Sequence, residues 1–311
     1  MTENLKKIIQ LLLTPVKFAL DIYLRWFRVR RERSWEDYNG IPIKMKSGAR
    51  LALNPDCAYS QVLFARRVSG LAEINLARHI ITPGDMAIDV GANVGYVTTS
   101  LSQLIGPKGK VLAFEPSPTT YDYLIRNLHI NACDNVLAYQ VALSDKEESG
   151  LLYESARTSG DNRMYMPQRD QLEKTDRRRA IRVQTKKLDD YASQLDLARL
   201  SALKIDAQGY ECRILEGAAN LIDQCPKLTI SVEFTPNFLE EVETSPESLW
   251  NLTQQLNLKM SLLKETPRPG PRILLQPMDH SDFQQLTYQL QKTRGPSAFE
   301  MLVLSKELIC V

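Results

Sequence analysis

Met86 to Leu101, MAIDVGANVGYVTTSL, constrains the fold more than any other stretch of the chain. A short apolar run (Met86, Ala87, Ile88, Val90) enters a turn with glycine at 91 and 95, and a helix-like stretch through Leu104 leaves it. That strand, turn and helix open a nucleotide-binding α/β unit. Gly91 and Gly95 let the backbone turn sharply and come close to a ligand. The new helix aims its first N–H groups above the sheet.

The spacing within the turn separates cofactors. A dinucleotide fingerprint, G-x-G-x-x-G, would need glycine where Asn93 and Tyr96 stand. The pattern present is Asp89-x-Gly91-x-Asn93-x-Gly95, with a carboxylate two residues before the first glycine. Asp89 is expected at the carboxyl end of its strand, where it would hold a cationic group such as the ammonium or sulfonium of S-adenosylmethionine. The next strand, Lys110 to Phe114, ends in Glu115, about where an acid takes ribose hydroxyls. The alternatives are a phosphate- or dinucleotide-binding turn and a glycine turn with no ligand.

At 311 residues the chain can bury one α/β core with additions, or two small domains. Apolar content of 43% and charged content of 24% are those of a soluble globular protein. A formal net charge of +2 does not suggest a nucleic-acid partner. Cys57, Cys133, Cys212, Cys225 and Cys310 are scattered, with no CxxC or Cys/His cluster. Neither a zinc site nor a disulfide framework is indicated, and reduced thiols in a cytoplasmic location are expected.

Residues 1–35 read as an N-terminal amphipathic helical extension. Pro15, Lys17, Asp21 and Arg25 interrupt the apolar run of 4–29, which argues against a bilayer span and a signal peptide. Lys17, Asp21, Arg25 and Arg28 line one face and Leu13, Val16, Leu20, Leu24 and Phe27 another, with a basic end through Arg33. Two readings stand: peripheral contact with the inner face of a membrane, or docking on its own domain or a second copy. The rest, 36–311, reads as one catalytic domain. It divides into a lead-in hairpin and helix (36–85), a cofactor-binding core (86–235) carrying an insertion (146–190), and a C-terminal completion of the sheet (236–311). Strands alternating with helices from Met86 onward imply a doubly wound, mostly parallel sheet whose ligands bind outside the strands' carboxyl ends. That edge would gather Asp89, Glu115, Ala142, Asp206 and Glu233.

The second informative stretch is LKIDAQGYE, 203–211. By period two, Lys204 and Asp206 share a face of a strand. Asp206 stands at the strand end, and Glu211 opens the next helix, where its dipole favours an anion. Taken together, IDVGANVGYVT, VLAFEPSPTTYDYLIRNLHINACDNV, VALSD and LKIDAQGYECRILEGA resemble the FkbM-type S-adenosylmethionine-dependent methyltransferases, over about residues 70–235 and again at FEMLVLSK. The resemblance implies a class I methyltransferase fold, a Rossmann-like seven-strand sheet with its last strand antiparallel, and O-methylation of a sugar, glycan or other small hydroxyl compound. It puts Asp89, Gly91, Asn93 and Gly95 around the methionine part of the cofactor and Glu115 on the ribose. Ala142, Ser144 and Asp145 fall near the adenine, and Asp206 near the reacting methyl. Ala207-Gln208 departs from the family, which usually has a small apolar residue and glutamate there.

An acceptor hydroxyl benefits from a base in reach. Asp206 is the first candidate, with Glu211, Glu233 and His79 behind it. Oxygen ligands from Asp206 and Glu233 would suit magnesium, but nothing fixes their geometry and no metal site is assigned. In the insertion, Arg157 and Arg163 are expected to meet an anionic acceptor, and 170–179 reads as a solvated charge run. The competing functions are an NAD-dependent oxidoreductase and a non-catalytic S-adenosylmethionine-binding module.

Overall fold

A computed structural model describes Trp35 and residues 38–168, 177–266, 272–293 and 298–309. The expected amphipathic helix within 4–29, its basic end and most of the charge run 170–179 lie outside the described residues. Contacts divide the chain into Met1–Ile41 and a second unit, Pro42–Val311, which carries every strand among the described residues. Among the described residues no helix is long and apolar enough to cross a membrane.

The second unit begins with the hairpin that the alternation about Ser47-Gly48 predicts, β1 (Ile43–Lys44) and β2 (Arg50–Leu51). Helix α1 (Ala58–Arg66), which no sequence signal announced, and α2 (Leu71–Ile80) follow. Then come β3 (Met86–Val90), α3 (Tyr96–Ile105), β4 (Lys110–Phe114), α4 (Pro118–Ile130) and β5 (Val136–Tyr139). Helix α4 starts where Ser117 Oγ accepts the Thr120 N–H at 3.3 Å and Pro118 presets the first turn. Strands β6 (Ala142–Leu143), β7 (Glu148–Ser155) and β8 (Arg178–Lys186) form a separate sheet in the order β6-β8-β7. The core resumes with β9 (Leu200–Ile205), α5 (Glu211–Glu216), α6 (Ala219–Gln224) and β10 (Thr229–Phe234). It closes with α7 (Pro236–Glu241), α8 (Pro246–Gln255), β11 (Lys259–Thr266), β12 (Arg272–Pro277), α9 (His280–Thr293) and β13 (Glu300–Ser305).

The large sheet has the order β12-β11-β13-β10-β9-β3-β4-β5 among the described residues. Strands β5, β4, β3, β9 and β10 run parallel, and β13 is antiparallel to β10. Every residue of β3 and β9 is buried, which is why both read as apolar runs broken only by Asp89, Ser201 and Lys204 rather than as alternating ones. The α/β class and the antiparallel last strand are as expected; the number of strands is not. An eighth, β12, pairs antiparallel with β11 at the edge. Ile273 and Leu275 on one face of it pack with Leu76 of α2 and with Leu263, Met301 and Val303, while Leu274 between them stays half exposed. Helix α2 thus needs one strand more than seven to cover. Strand order reverses beside β3, between β4 and β9, and this opens a crevice at the carboxyl edge.

Candidate active site

That crevice is a cavity of about 360 Å³, a size typical of small-molecule sites. Its wall comes from the turn after β3, Phe114 and Glu115 of the β4 end, Ala142, and Lys204, Asp206 and Gln208 around the β9 end, with Glu233 beside them. Tyr59 of α1, Glu73 of α2 and Ser159, Gly160 and Asn162 of the insertion complete it.

The glycine turn is hydrogen-bonded throughout. Gly91 and Ala92 N–H both donate to the Phe114 carbonyl at 3.0 Å, and the Gly95 N–H to the Ala92 carbonyl at 2.9 Å. Asn93 N–H donates to Glu115 Oε2 at 2.9 Å, and Val94 N–H to the Asn93 side chain at 2.8 Å. No N–H from 91 to 95 is left for a phosphate. Glu115 also accepts the Ser117 N–H on its other oxygen at 3.0 Å, and burial pushes its carboxyl up to about 7. Gly91 has φ +72°, and a Cβ there would lie 1.9 Å from the Asp206 carbonyl oxygen. Only glycine lets the β3 turn and the β9 end approach this closely. Ser159 Oγ of the insertion donates to Asn93 Oδ1 at 3.0 Å, and the Ser159 N–H to Cys57 Sγ at 3.3 Å, which fixes the insertion against the turn.

Beneath the turn sits Lys204, almost fully buried. Its ammonium donates to the carbonyls of Gly91 (2.8 Å) and Val90 (3.3 Å) and lies 3.2 Å from Asp89 Oδ1 and 3.5 Å from Asp206 Oδ2. Burial works against its charge, but the Asp89 and Asp206 carboxylates hold it protonated far above the usual lysine range. Beside it, Gln208 Nε2 donates to Asp206 Oδ1 at 2.9 Å and to Glu233 Oε2 at 3.3 Å. Burial and the charge of Asp206 push Glu233 well above its ordinary value. Burial opposes ionisation of Asp206 as well, yet Lys204 and the hydrogen bonds from Glu233 and Gln208 hold it low.

The Methyltransferase FkbM domain matches this chain over residues 89–260, more than half of its length. The chain belongs to the FkbM methyltransferase family. A protein named "Methyltransferase 1" from Beauveria bassiana (strain ARSEF 2860) is 28% identical over 142 residues, 42% of this chain and 57% of the relative. "Methyltransferase sdnD" from Sordaria araneosa is 29% identical over 153 residues, 42% of this chain and 59% of the relative. This chain therefore spans less than two thirds of the curated relatives it matches. Among solved structures, the O-methyltransferase TomG from Streptomyces achromogenes in complex with SAM is similar with a TM-score of 0.40 and 12% identity, covering 77% of this chain and 82% of that one.

Within this FkbM-type crevice the structure brings Gly91, Asn93, Glu115, Ala142, Asp206 and Glu233 onto one wall. Other expectations need correction. Asp89 is fully buried below the cavity floor, where it accepts from Thr98 Oγ1 at 2.6 Å and anchors Lys204, because its side chain leaves the strand on the inner face. Gly95 packs against Leu124 and caps α3 rather than lining the cavity. Ser144 donates to Asp145, and Asp145 turns away to Arg213 at 3.6 Å, so only Ala142 of that group reaches the wall. Glu211 is buried and binds the turn before it, accepting N–H groups from Ala207 (3.0 Å) and Gly209 (2.9 Å); it is not on the wall. His79 is exposed on α2.

The two arginines do not form an acceptor site. Arg163 is 3% exposed, stacks at 3.7 Å on the Phe238 ring and pairs with Asp161 (2.6 Å) and Glu241 (3.4 Å). It pins the insertion to α7. Arg157 is exposed, off the cavity wall, and its carbonyl accepts the Ala58 N–H at 2.8 Å. Sequence reasoning put Lys204 on the face of Asp206 without giving it a role, and it missed Tyr59 and Glu73. A lysine inside an otherwise apolar strand is a readable signal for the first. The others depend on how α1 and α2 fold over the crevice. Tyr59 donates to Ser69 Oγ at 2.8 Å, and burial pushes its phenol up to about 12.

Proposed function

We propose that this chain is an S-adenosylmethionine-dependent O-methyltransferase acting on a hydroxyl of an uncharged sugar or other polyol. The observation that carries the reading is the spent glycine turn: with the N–H groups of residues 91–95 all engaged, a pyrophosphate finds no donors there. The charge of the wall supports it further. Glu73, Glu115, Asp206, Glu233 and Glu265 line the cavity, against the internally bound Lys204 among the described residues. With Asp206 held as the anion, Glu115 pushed up to about 7 and Glu233 kept neutral by burial and by Asp206, this wall still favours a cationic nucleoside over the two phosphates of NAD. The same charge disfavours an anionic acceptor, which the sequence alone pointed to through Arg157 and Arg163.

Bound there, S-adenosylmethionine supplies an electrophilic methyl that passes from sulfur to the acceptor oxygen, leaving S-adenosylhomocysteine. The protein's contribution is alignment and proton acceptance. Once ionised, above about pH 7, Glu115 has a lone pair left on each oxygen to receive the ribose hydroxyls. Asp206, held as the anion by Lys204, takes the proton that the acceptor hydroxyl loses. Phe114, Val141, Leu143 and Tyr210 give the wall an apolar side that excludes water from the crevice.

The test is Asp206→Asn, incubated with methyl-labelled S-adenosylmethionine and a glycan extract. The wild-type chain is expected to transfer label and the variant to lose at least about 100-fold of the rate, while both bind S-adenosylhomocysteine alike. Undiminished transfer by the variant removes Asp206 from the reaction. Cofactor binding without transfer by either protein favours a non-catalytic binding module.

A further inference from the structure

Asp206 and Glu233 stand on neighbouring parallel strands. The register that pairs Ile205 with Val232 sets the next residue of each strand side by side. Strands lie about 4.8 Å apart, so two carboxylates at these positions repel strongly unless one carries a proton. Their surroundings differ. Asp206 Oδ2 faces the Lys204 ammonium at 3.5 Å, whereas Glu233 makes no ion pair among the described residues. The Gln208 amide bridges them as well, with Nε2 2.9 Å from Asp206 Oδ1 and 3.3 Å from Glu233 Oε2.

The backbone is built to hold that amide in place. Gln208 sits at φ +52° and Gly209 at φ +108°. Glu211 accepts the N–H groups on either side, from Ala207 and Gly209, so the turn is tied from below and the Gln208 side chain reaches over the two acids. A Cβ at Gly209 would lie 2.7 Å from the Phe238 carbonyl oxygen, which fixes the turn's outer side as well.

We propose that Asp206 and Glu233 hold one proton between them, Asp206 as the anion and Glu233 as the acid, with Gln208 as the positioning residue that clamps the two. The inference rests on the reading of Asp206 as proton acceptor. As the new C–O bond forms, the acceptor hydroxyl's proton passes to Asp206, leaving both carboxyls neutral. Asp206 then returns that proton to water before the next turnover. The charged and titratable groups facing the pair are Lys204 from β9, with Asp89 of β3 behind it, Glu211 from α5, Glu73 from α2 and Tyr59 from α1. The opposed shifts of the two acids agree with the geometry.

Carboxyl-13C NMR of the full chain, labelled at aspartate and glutamate, reads the pair without donor or acceptor. Asp206→Asn and Glu233→Gln assign the two signals. At pH 7 Glu233 is expected at the shift of an acid and Asp206 at that of a carboxylate. Asp206→Asn is expected to lower the proton affinity of Glu233 by about ten-fold or more, and Gln208→Leu to raise that of Asp206 several-fold. Two ionised carboxylates at pH 7, or a Glu233 titration unmoved by Asp206→Asn, overturn the shared proton. An Asp206 titration unmoved by Gln208→Leu overturns the clamp, and Gln208→Met serves if the leucine variant does not fold. Calorimetry with S-adenosylhomocysteine on the same samples separates the two ideas: lost binding contradicts the proposed function, not the pair.

Discussion

Lys204→Met isolates the joint on which both halves of the site rest. Methionine keeps most of the stem's volume, so the change removes charge and donors rather than packing. Four contacts are lost: the Gly91 and Val90 carbonyls at 2.8 and 3.3 Å, Asp89 Oδ1 at 3.2 Å and Asp206 Oδ2 at 3.5 Å. The lysine side chain is 8% exposed and Asp89 is fully buried, so solvent screens that pair little; Asp206, at 32%, is screened more and adds less. Removing one member of a buried pair costs about 3–5 kcal/mol, and Asp89 sets most of that figure here. Urea unfolding at pH 7, followed by circular dichroism, measures it in Lys204→Met, Asp89→Asn and the double variant. The double variant is expected to lose less than the sum of the two, by about 1–3 kcal/mol. A loss below about 1 kcal/mol for Lys204→Met, or strict additivity, refutes the view that this ammonium holds β3 and β9 together.

Stability is expected to rise as pH falls from 8 to about 5. Glu115 and Glu211 are protonated in the folded chain up to about 7. In the unfolded chain they titrate near 4.3, so the native state binds more protons between those values and loses stability as pH rises. Urea midpoints across that range check the slope, and a rising midpoint with pH contradicts it. Gly91→Ala, with a Cβ 1.9 Å from the Asp206 carbonyl oxygen, is expected to lose more than about 2 kcal/mol and all S-adenosylhomocysteine binding; a folded variant that binds normally refutes the close approach. Arg163→Met is expected to lower the unfolding free energy by about 2–4 kcal/mol without changing cofactor affinity once folded. Arg157→Glu is expected to leave both stability and binding near wild type, and a strong effect on acceptor turnover restores the anionic-acceptor reading.

The parts of the site that were legible in the sequence are those set by local geometry. The turn at 91–95, the acid ending β4 and the acid following β9 lie within a few residues of the strand that carries them, so period and position place them. Asp89 shows the limit. It stands where the motif puts it, but a one-residue alternation sends its carboxylate inward to Thr98 and Lys204. Arg163 failed for a different reason. The residues before it, Ser159 to Asn162, are polar or glycine, and only the packing of the insertion on Phe238 and Glu241 reveals a buried arginine. Helices α1 and α9 were equally hidden, and for β12 the sequence showed only an apolar segment at 272–276. Their contacts are with residues far along the chain, and β12 in particular exists because α2 needs Ile273 and Leu275 beneath it.

We propose that the crevice accepts S-adenosylmethionine and its demethylated product and not a pyrophosphate. Isothermal titration of the purified chain with S-adenosylhomocysteine and, separately, with NAD tests it most directly. Saturable binding of the first at one site per chain, with none of the second, is the expected result. Binding of NAD, or no heat with S-adenosylhomocysteine or S-adenosylmethionine, contradicts it.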